Sequence, residues 1–196
     1  MVKPALGVLV SGRGTNLQAL IDARLPIAVV VSNVAGAPAL ERASGAGIPV
    51  AVIDHKAFGS RAAFEDALLE VLRGHGVTHV VLAGFMRVLT ERFLAEFPDR
   101  VVNIHPSLLP AFPGVDAQKQ AHDYGVKVTG VTVHLVDAGT DTGPIVLQEA
   151  LPVHEGESCD GLRARLLEME HRLLPAAVRL LIERRLQRDG RRVRIG

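Results

Sequence analysis

Tryptophan is absent from the 196 residues, tyrosine occurs once, and aromatic residues make up only 4% of the chain. A flat heterocycle bound here must therefore be held by aliphatic walls and backbone groups. The only cysteine is Cys159. That excludes an intramolecular disulfide framework, leaves no cysteine-rich metal site, and fits a reducing compartment. Neither charge dominates: 22 Lys and Arg stand against 21 Asp and Glu, a formal net charge of +1, which gives no general attraction for nucleic acid or an anionic membrane. A long hydrophobic run is missing too. The apolar stretch that follows Met1-Val2-Lys3-Pro4 is broken by Ser11-Gly12-Arg13-Gly14, too early for a signal peptide or a membrane span. These absences predict a cytoplasmic protein acting on small molecules, with no nucleic-acid or membrane partner, as a monomer or homodimer. Length and the lack of repeats or linkers predict one domain over 1–196.

Short β-branched apolar runs at 6–10, 27–31, 50–53, 79–82 and 101–104 alternate with helical patterns, the signature of parallel strands joined by crossover helices. After Ser60, the residues Phe64, Ala67, Leu68, Val71 and Leu72 share one helical face, and Gly74 and Gly76 stop the pattern. Beyond Asn103 the pattern changes. Pro106, Pro110 and Pro113 impose an extended, turning loop before 126–136 and 145–152 resume as strands. Leu162, Leu166, Met169, Leu173, Ala177 and Leu180 predict a long final helix, interrupted or bent near Pro175, with the arginine-rich tail read as its solvated end. The fold class is α/β: a Rossmann-like, mostly parallel twisted sheet flanked by helices, with an antiparallel element in the C-terminal half.

The loop Ser11-Gly12-Arg13-Gly14-Thr15-Asn16-Leu17 leaves the first strand and opens a helix, so it can aim backbone N–H groups and a positive helix end at one point. Leu17 occupies the place of the third dinucleotide-fingerprint glycine, Ser32-Asn33 supply no ribose-binding acid, and no Gly-Lys-Ser/Thr follows. A monophosphate fits better than NAD or ATP. The alternative, a tight turn with Thr15 or Asn16 capping the helix, stays open on these residues alone.

Asn103 and His105 lie two apart at the end of an extended segment, where open parallel sheets place their sites, so both side chains leave on the same face. The glycine-punctuated run Asp137-Ala138-Gly139-Thr140-Asp141-Thr142-Gly143-Pro144 can bring Asp141 against His105, where a carboxylate favours the protonated ring and orients it. An Asx turn is the competing explanation for Asp141, and the accepted one for the Asp137 side chain.

Taken in order, Ser11 to Gln18, Leu82-Ala83-Gly84-Phe85-Met86-Arg87-Val88-Leu89, Asn103-Ile104-His105-Pro106-Ser107-Leu108-Leu109-Pro110 and Thr140-Asp141-Thr142-Gly143-Pro144 resemble the glycinamide ribonucleotide formyltransferases, and their spacing does too. The resemblance covers nearly the whole chain. It implies a Rossmann-like sheet with a phosphate- and nucleotide-binding half, about 1–100, and a folate-binding, catalytic half, about 101–196. It implies formyl transfer from 10-formyltetrahydrofolate, as co-substrate, to the amine of glycinamide ribonucleotide in purine biosynthesis, with Asn103, His105 and Asp141 as the catalytic core. Gly12, Gly14, Thr15 and Asn16 match the phosphate-holding segment, and Glu170 the acid that contacts the ribose. Arg61, Met86, Arg87, Val88 and Leu89, with Asn103 and the backbone of Asp137, Ala138, Gly139, Thr140 and Asp141, match the folate side. No metal is implied. The segment 114–122 matches only partly, and the C-terminus is shorter than in many relatives. A formyltetrahydrofolate deformylase-like hydrolase, a methionyl-tRNA formyltransferase and a non-catalytic nucleotide-binding module are the competing readings; length and charge weigh against the second, and the Asn, His and Asp cluster against the third.

Overall fold

The computed structural model describes residues 3–196; the Met1-Val2 start of the apolar stretch lies outside them. Seven strands are hydrogen-bonded in the order β3-β2-β1-β4-β5-β6-β7: β1 (Leu6–Val10), β2 (Ile27–Ser32), β3 (Val50–Val52), β4 (His79–Leu82), β5 (Val101–His105), β6 (Val128–Leu135) and β7 (Ile145–Pro152). Pairings β1–β2, β1–β4 and β2–β3 are parallel, whereas β5–β6 and β6–β7 are antiparallel. The chain divides into two compact units, the first closing at Val101 and the second running Val102–Gly196.

In the first unit, every residue of β1 and β4 is buried, as expected of parallel strands covered on both faces. Helices α1 (Thr15–Asp22), α2 (Pro38–Gly45), α3 (Arg61–Gly74) and α4 (Glu91–Ala95) connect the strands. The Ser60 hydroxyl caps α3 by accepting from the Ala63 N–H at 3.2 Å, and Phe64, Leu68 and Leu72 bury the predicted face. Glu65 lies in the same helix yet is buried as a carboxylate because it receives the N–H (2.8 Å) and hydroxyl of Thr90, the residue that caps α4. Short α2 and α4 fill two of the helical stretches expected between the apolar runs, ahead of β3 and of β5.

In the second unit, helix α5 (Ala117–Tyr124) rises out of the segment read as part of a loop, and the long α6 (Cys159–Ile182) packs on β6 and β7. Helix α6 is not interrupted at Pro175. That residue is itself buried, with Leu173, Leu174, Ala177 and Val178 buried around it, so packing holds both flanks in one helix. The arginine-rich tail is also corrected. Helix α6 stops at Ile182, and the tail turns into a two-stranded antiparallel ribbon of β8 (Leu186–Asp189) and β9 (Arg192–Ile195). Its alternating Arg192-Val193-Arg194-Ile195 suits a strand better than a helix end.

The turn into α1 depends on Gly14, whose φ is 72° and whose missing Cβ would lie 2.6 Å from the Ala39 Cβ on α2. Both the left-handed conformation and the close approach require glycine. Gly14→Ala should lower folding stability by about 1–3 kcal/mol, the scale of a strained backbone site. Urea unfolding measures this, and an unchanged transition midpoint and slope would contradict it.

Candidate active site

In the first unit, β1 ends at Val10 and the chain turns through Ser11, Gly12, Arg13 and Gly14 into α1. No side-chain cap is made at this helix, so neither Thr15 nor Asn16 plays the capping part, and the first-turn N–H groups are left uncapped. Helix α2 fixes the loop from the side: the Ala39 N–H donates to the Gly12 carbonyl at 3.1 Å, and the Arg42 Nε to the Arg13 carbonyl at 2.9 Å. The Ser11 hydroxyl donates to Asn33 Oδ1 at 2.6 Å and accepts from the Met86 N–H at 2.9 Å.

Segment 86–89 thus hangs between two anchors, Ser11 at Met86 and Glu65 at Thr90. Met86 is 69% exposed and Val88 42%, giving the aliphatic surface that a low-aromatic chain needs against a flat ring. Arg87 is half-buried between them, while Leu89 is turned into the core and can offer a ligand only its backbone. Arg61 stands exposed at the first turn of α3.

In the second unit, the register of β5 against β6 sets Asn103 opposite His134 and His105 opposite Thr132. Asn103 and His105 share a face because side chains alternate, so all four residues belong to one surface of this strand pair. Asp141 meets that surface from its loop, with φ at 56°. One of its oxygens, Oδ1, accepts from Asn103 Nδ2 at 3.3 Å; the other accepts from the Gly114 N–H at 2.8 Å and lies 3.3 Å from His105 Nδ1. Its carboxylate is therefore not spent on a local Asx turn. Asp137 is the turn residue: its Oδ1 accepts from the Gly139 N–H and the Thr142 hydroxyl, and Ala138, Gly139 and Thr140 continue the exposed turn.

His105 is nearly fully buried, and its Nε2 lies 2.8 Å from the Phe112 carbonyl. Both ring nitrogens face oxygen acceptors, which the doubly protonated ring satisfies on both sides. Burial acts to raise the Asp141 carboxyl, but polar contacts, among them the Gly114 N–H and His105, outweigh it and hold the group below the ordinary value of 3.8. The proline loop is pinned across three strands. Thr132 Oγ1 donates to the Ser107 carbonyl at 2.6 Å and accepts from the Leu109 N–H at 3.1 Å, while Gln148 Nε2 donates to both Thr132 Oγ1 and the Leu109 carbonyl. Glu170 is buried in α6 on the face that carries Leu166, Leu173 and Leu174.

Sequence reading missed His134, the Phe112 carbonyl and the Gly114 N–H. Only the first left a signal, an imidazole in the otherwise apolar run Val131-Thr132-Val133-His134-Leu135. Among the described residues no group of three or more His, Cys, Asp or Glu could hold a metal ion, and no helix is long and apolar enough to cross a membrane.

Comparison with known proteins places this geometry. The formyl transferase family model matches residues 6–178. A phosphoribosylglycinamide formyltransferase of Bacillus subtilis is 40% identical, over 89% of this chain and 93% of its own length. The trifunctional purine biosynthetic protein adenosine-3 of Gallus gallus is 46% identical over 91% of this chain, which spans only 18% of that longer relative. The crystal structure of glycinamide ribonucleotide transformylase 1 from Symbiobacterium toebii superposes with a TM-score of 0.95 at 53% identity, covering 98% of this chain and 94% of that one. Sequence, sheet order and the matched span agree: the chain belongs to the formyl transferase family and, within it, to the phosphoribosylglycinamide formyltransferases.

Proposed function

We propose that this chain moves a formyl group from 10-formyltetrahydrofolate onto the primary amine of glycinamide ribonucleotide. The observation that carries the reading is the half-buried Asp141 carboxylate, set against His105 on one oxygen and Asn103 on the other. The folate supplies an activated formyl carbon. The amine attacks that carbon, a C–N bond forms, and the carbonyl electron pair becomes a tetrahedral oxyanion. Collapse breaks the bond to the folate nitrogen, which leaves with a proton, while the amine gives one up. Asn103 donates to the oxyanion, and protonated His105 does so once its Nε2–H turns from the Phe112 carbonyl, with Asp141 kept on Nδ1. Asp141 orients His105, favours its charged form and helps carry the amine's proton through water. No side chain has to form a covalent intermediate.

Gly12, Gly14, Thr15 and Asn16 hold the substrate phosphate in this reading, supported by the uncapped start of α1. Glu170 accepts from ribose hydroxyls, supported by its burial as a carboxylate on an apolar helix face. Exposed Met86 and Val88, the Leu89 backbone, Arg87, Arg61 and the backbone of residues 137–141 take the folate. The near-neutral charge balance supports small-molecule substrates over nucleic acid, and the single cysteine a cytoplasmic setting; a monomer or homodimer completes the reading.

Purified protein given both substrates should yield N-formylated ribonucleotide and tetrahydrofolate in equal amounts. Free formate in place of the formylated product would point to hydrolysis and overturn the proposal. Asn103→Ala and His105→Ala should each fold and lose roughly a hundredfold in turnover, as for a lost oxyanion donor. The double variant should lose less than the product of the two, because both act on one intermediate. Wild-type turnover in either single variant would contradict the assignment.

Asp141→Asn keeps the shape but removes the charge, and turnover should fall by roughly two to four orders of magnitude. The sign of the pH effect follows from the depressed carboxyl. Whatever stability its ionised form contributes is present above the unfolded value, near 3.8, and is lost as pH falls through the lower folded value. Asp141 therefore stays anionic above about pH 5, and the wild-type rate profile should show no Asp141 inflection there. Single-turnover rates across pH for both proteins check this; full activity in a stable Asp141→Asn chain would remove the residue from the mechanism.

A further inference from the structure

His134 is 2% exposed, carries an imidazole into the core of β6, and has no part in the steps above. Its Nδ1 lies 2.9 Å from the Leu135 carbonyl oxygen, which can only accept, so Nδ1 bears the proton. Nε2 meets the Asn103 amide nitrogen, which can only donate, and so serves as the acceptor of that contact. It faces Asn103 Nδ2 at 3.2 Å and stands 3.6 Å from Asp141 Oδ1, beyond hydrogen-bonding reach. The same Asn103 nitrogen lies 3.3 Å from Asp141 Oδ1. One end of the carboxamide thus meets two acceptors. A carboxamide turned by 180° would set its oxygen against a ring lone pair and a carboxylate oxygen in a buried site, where such contacts are costly.

Building on the proposed formyl transfer, we propose that His134 is a positioning residue whose unprotonated Nε2 anchors one N–H of Asn103, so that the carboxamide offers its second N–H, and not its oxygen, to the reacting carbonyl. In the resting structure that second hydrogen rests on Asp141 Oδ1, and an oxyanion placed beside that oxygen would share it with the carboxamide held still. Backbone pairing makes the anchor rigid, since His134 and Asn103 are direct partners across β5 and β6. His134 touches no reacting atom and acts through Asn103.

The test combines two readouts. Nitrogen-15 NMR of histidine-labelled wild-type protein near neutral pH should show His134 as the Nδ1–H tautomer, its resonances assigned by their loss in His134→Gln. The Nε2–H tautomer would overturn the proposal without reference to turnover. In kinetics, His134→Leu removes the acceptor, and kcat should fall about a hundredfold, the scale of an oxyanion donor misdirected, while both KM values stay within about threefold. His134→Gln offers an amide oxygen to the same N–H and should recover at least about tenfold of that loss, which a merely space-filling role would not produce. Wild-type kcat in a folded His134→Leu, equal losses in the two variants, or a loss confined to KM would each overturn it. If His134→Leu does not fold, the tautomer and the kcat of His134→Gln decide. Failure of the formyl-transfer reading shows itself separately, as no formylated product from the wild-type chain.

Discussion

The Asp141 carboxylate is the point on which the second unit's chemistry hangs. A buried carboxylate is tolerated only when its oxygens are met by donors, and here those donors come from β5, through Asn103 and His105, and from the Gly114 backbone at the entrance to α5. Each contact serves packing and chemistry together. The charge that stabilises a protonated His105 also draws the Gly114 turn inward, and the N–H that satisfies Oδ1 belongs to the carboxamide aimed at the reaction. Removing the charge would release three segments at once.

The cluster also explains how the surrounding loop is built. The Ser107 and Leu109 backbone is tied down by Thr132 and Gln148, which sit opposite one another in β6 and β7, and Thr132 in turn sits opposite His105. A row of polar side chains running across the three strands therefore supports the loop that carries Phe112, whose carbonyl receives His105 Nε2. In the first unit Ser11 and Glu65 do comparable work, each buried or half-buried and each holding one end of segment 86–89 through a backbone N–H.

The strands and the two long helices were legible in the sequence because each carries several periods of its hydrophobic pattern: β1 is wholly apolar, and α3 and α6 repeat a buried face over many turns. Helices α2 and α4, one or two turns long, were legible only as helical stretches between strands, and α5 carries too few apolar residues to stand out, only Ala117 and Ala121 being buried. At the candidate site, Asn103, His105 and Asp141 were visible as polar residues at a strand end and in a glycine-rich loop. His134, Gly114 and Phe112 were hidden for different reasons. A backbone N–H or carbonyl has no letter in the sequence, and the meaning of His134 depends on a pairing register that only the folded strands define. The extended tail failed in the opposite direction, where arginine content suggested a helix end and the alternation of Val193 and Ile195 was the better guide.

Placing Asn103 across from His134 in an antiparallel pairing has a consequence for how such a protein can diverge. Side chains alternate faces with a period of two, so a single-residue insertion or deletion in β5 ahead of Asn103 would turn Asn103 and His105 away from His134, and one in β6 would turn His134 away from them. Changes of length are therefore tolerated in the connections between strands and not within β5 and β6. Variety in what is bound accumulates in the loops, and the reacting group remains the one feature that gradual length change cannot reach.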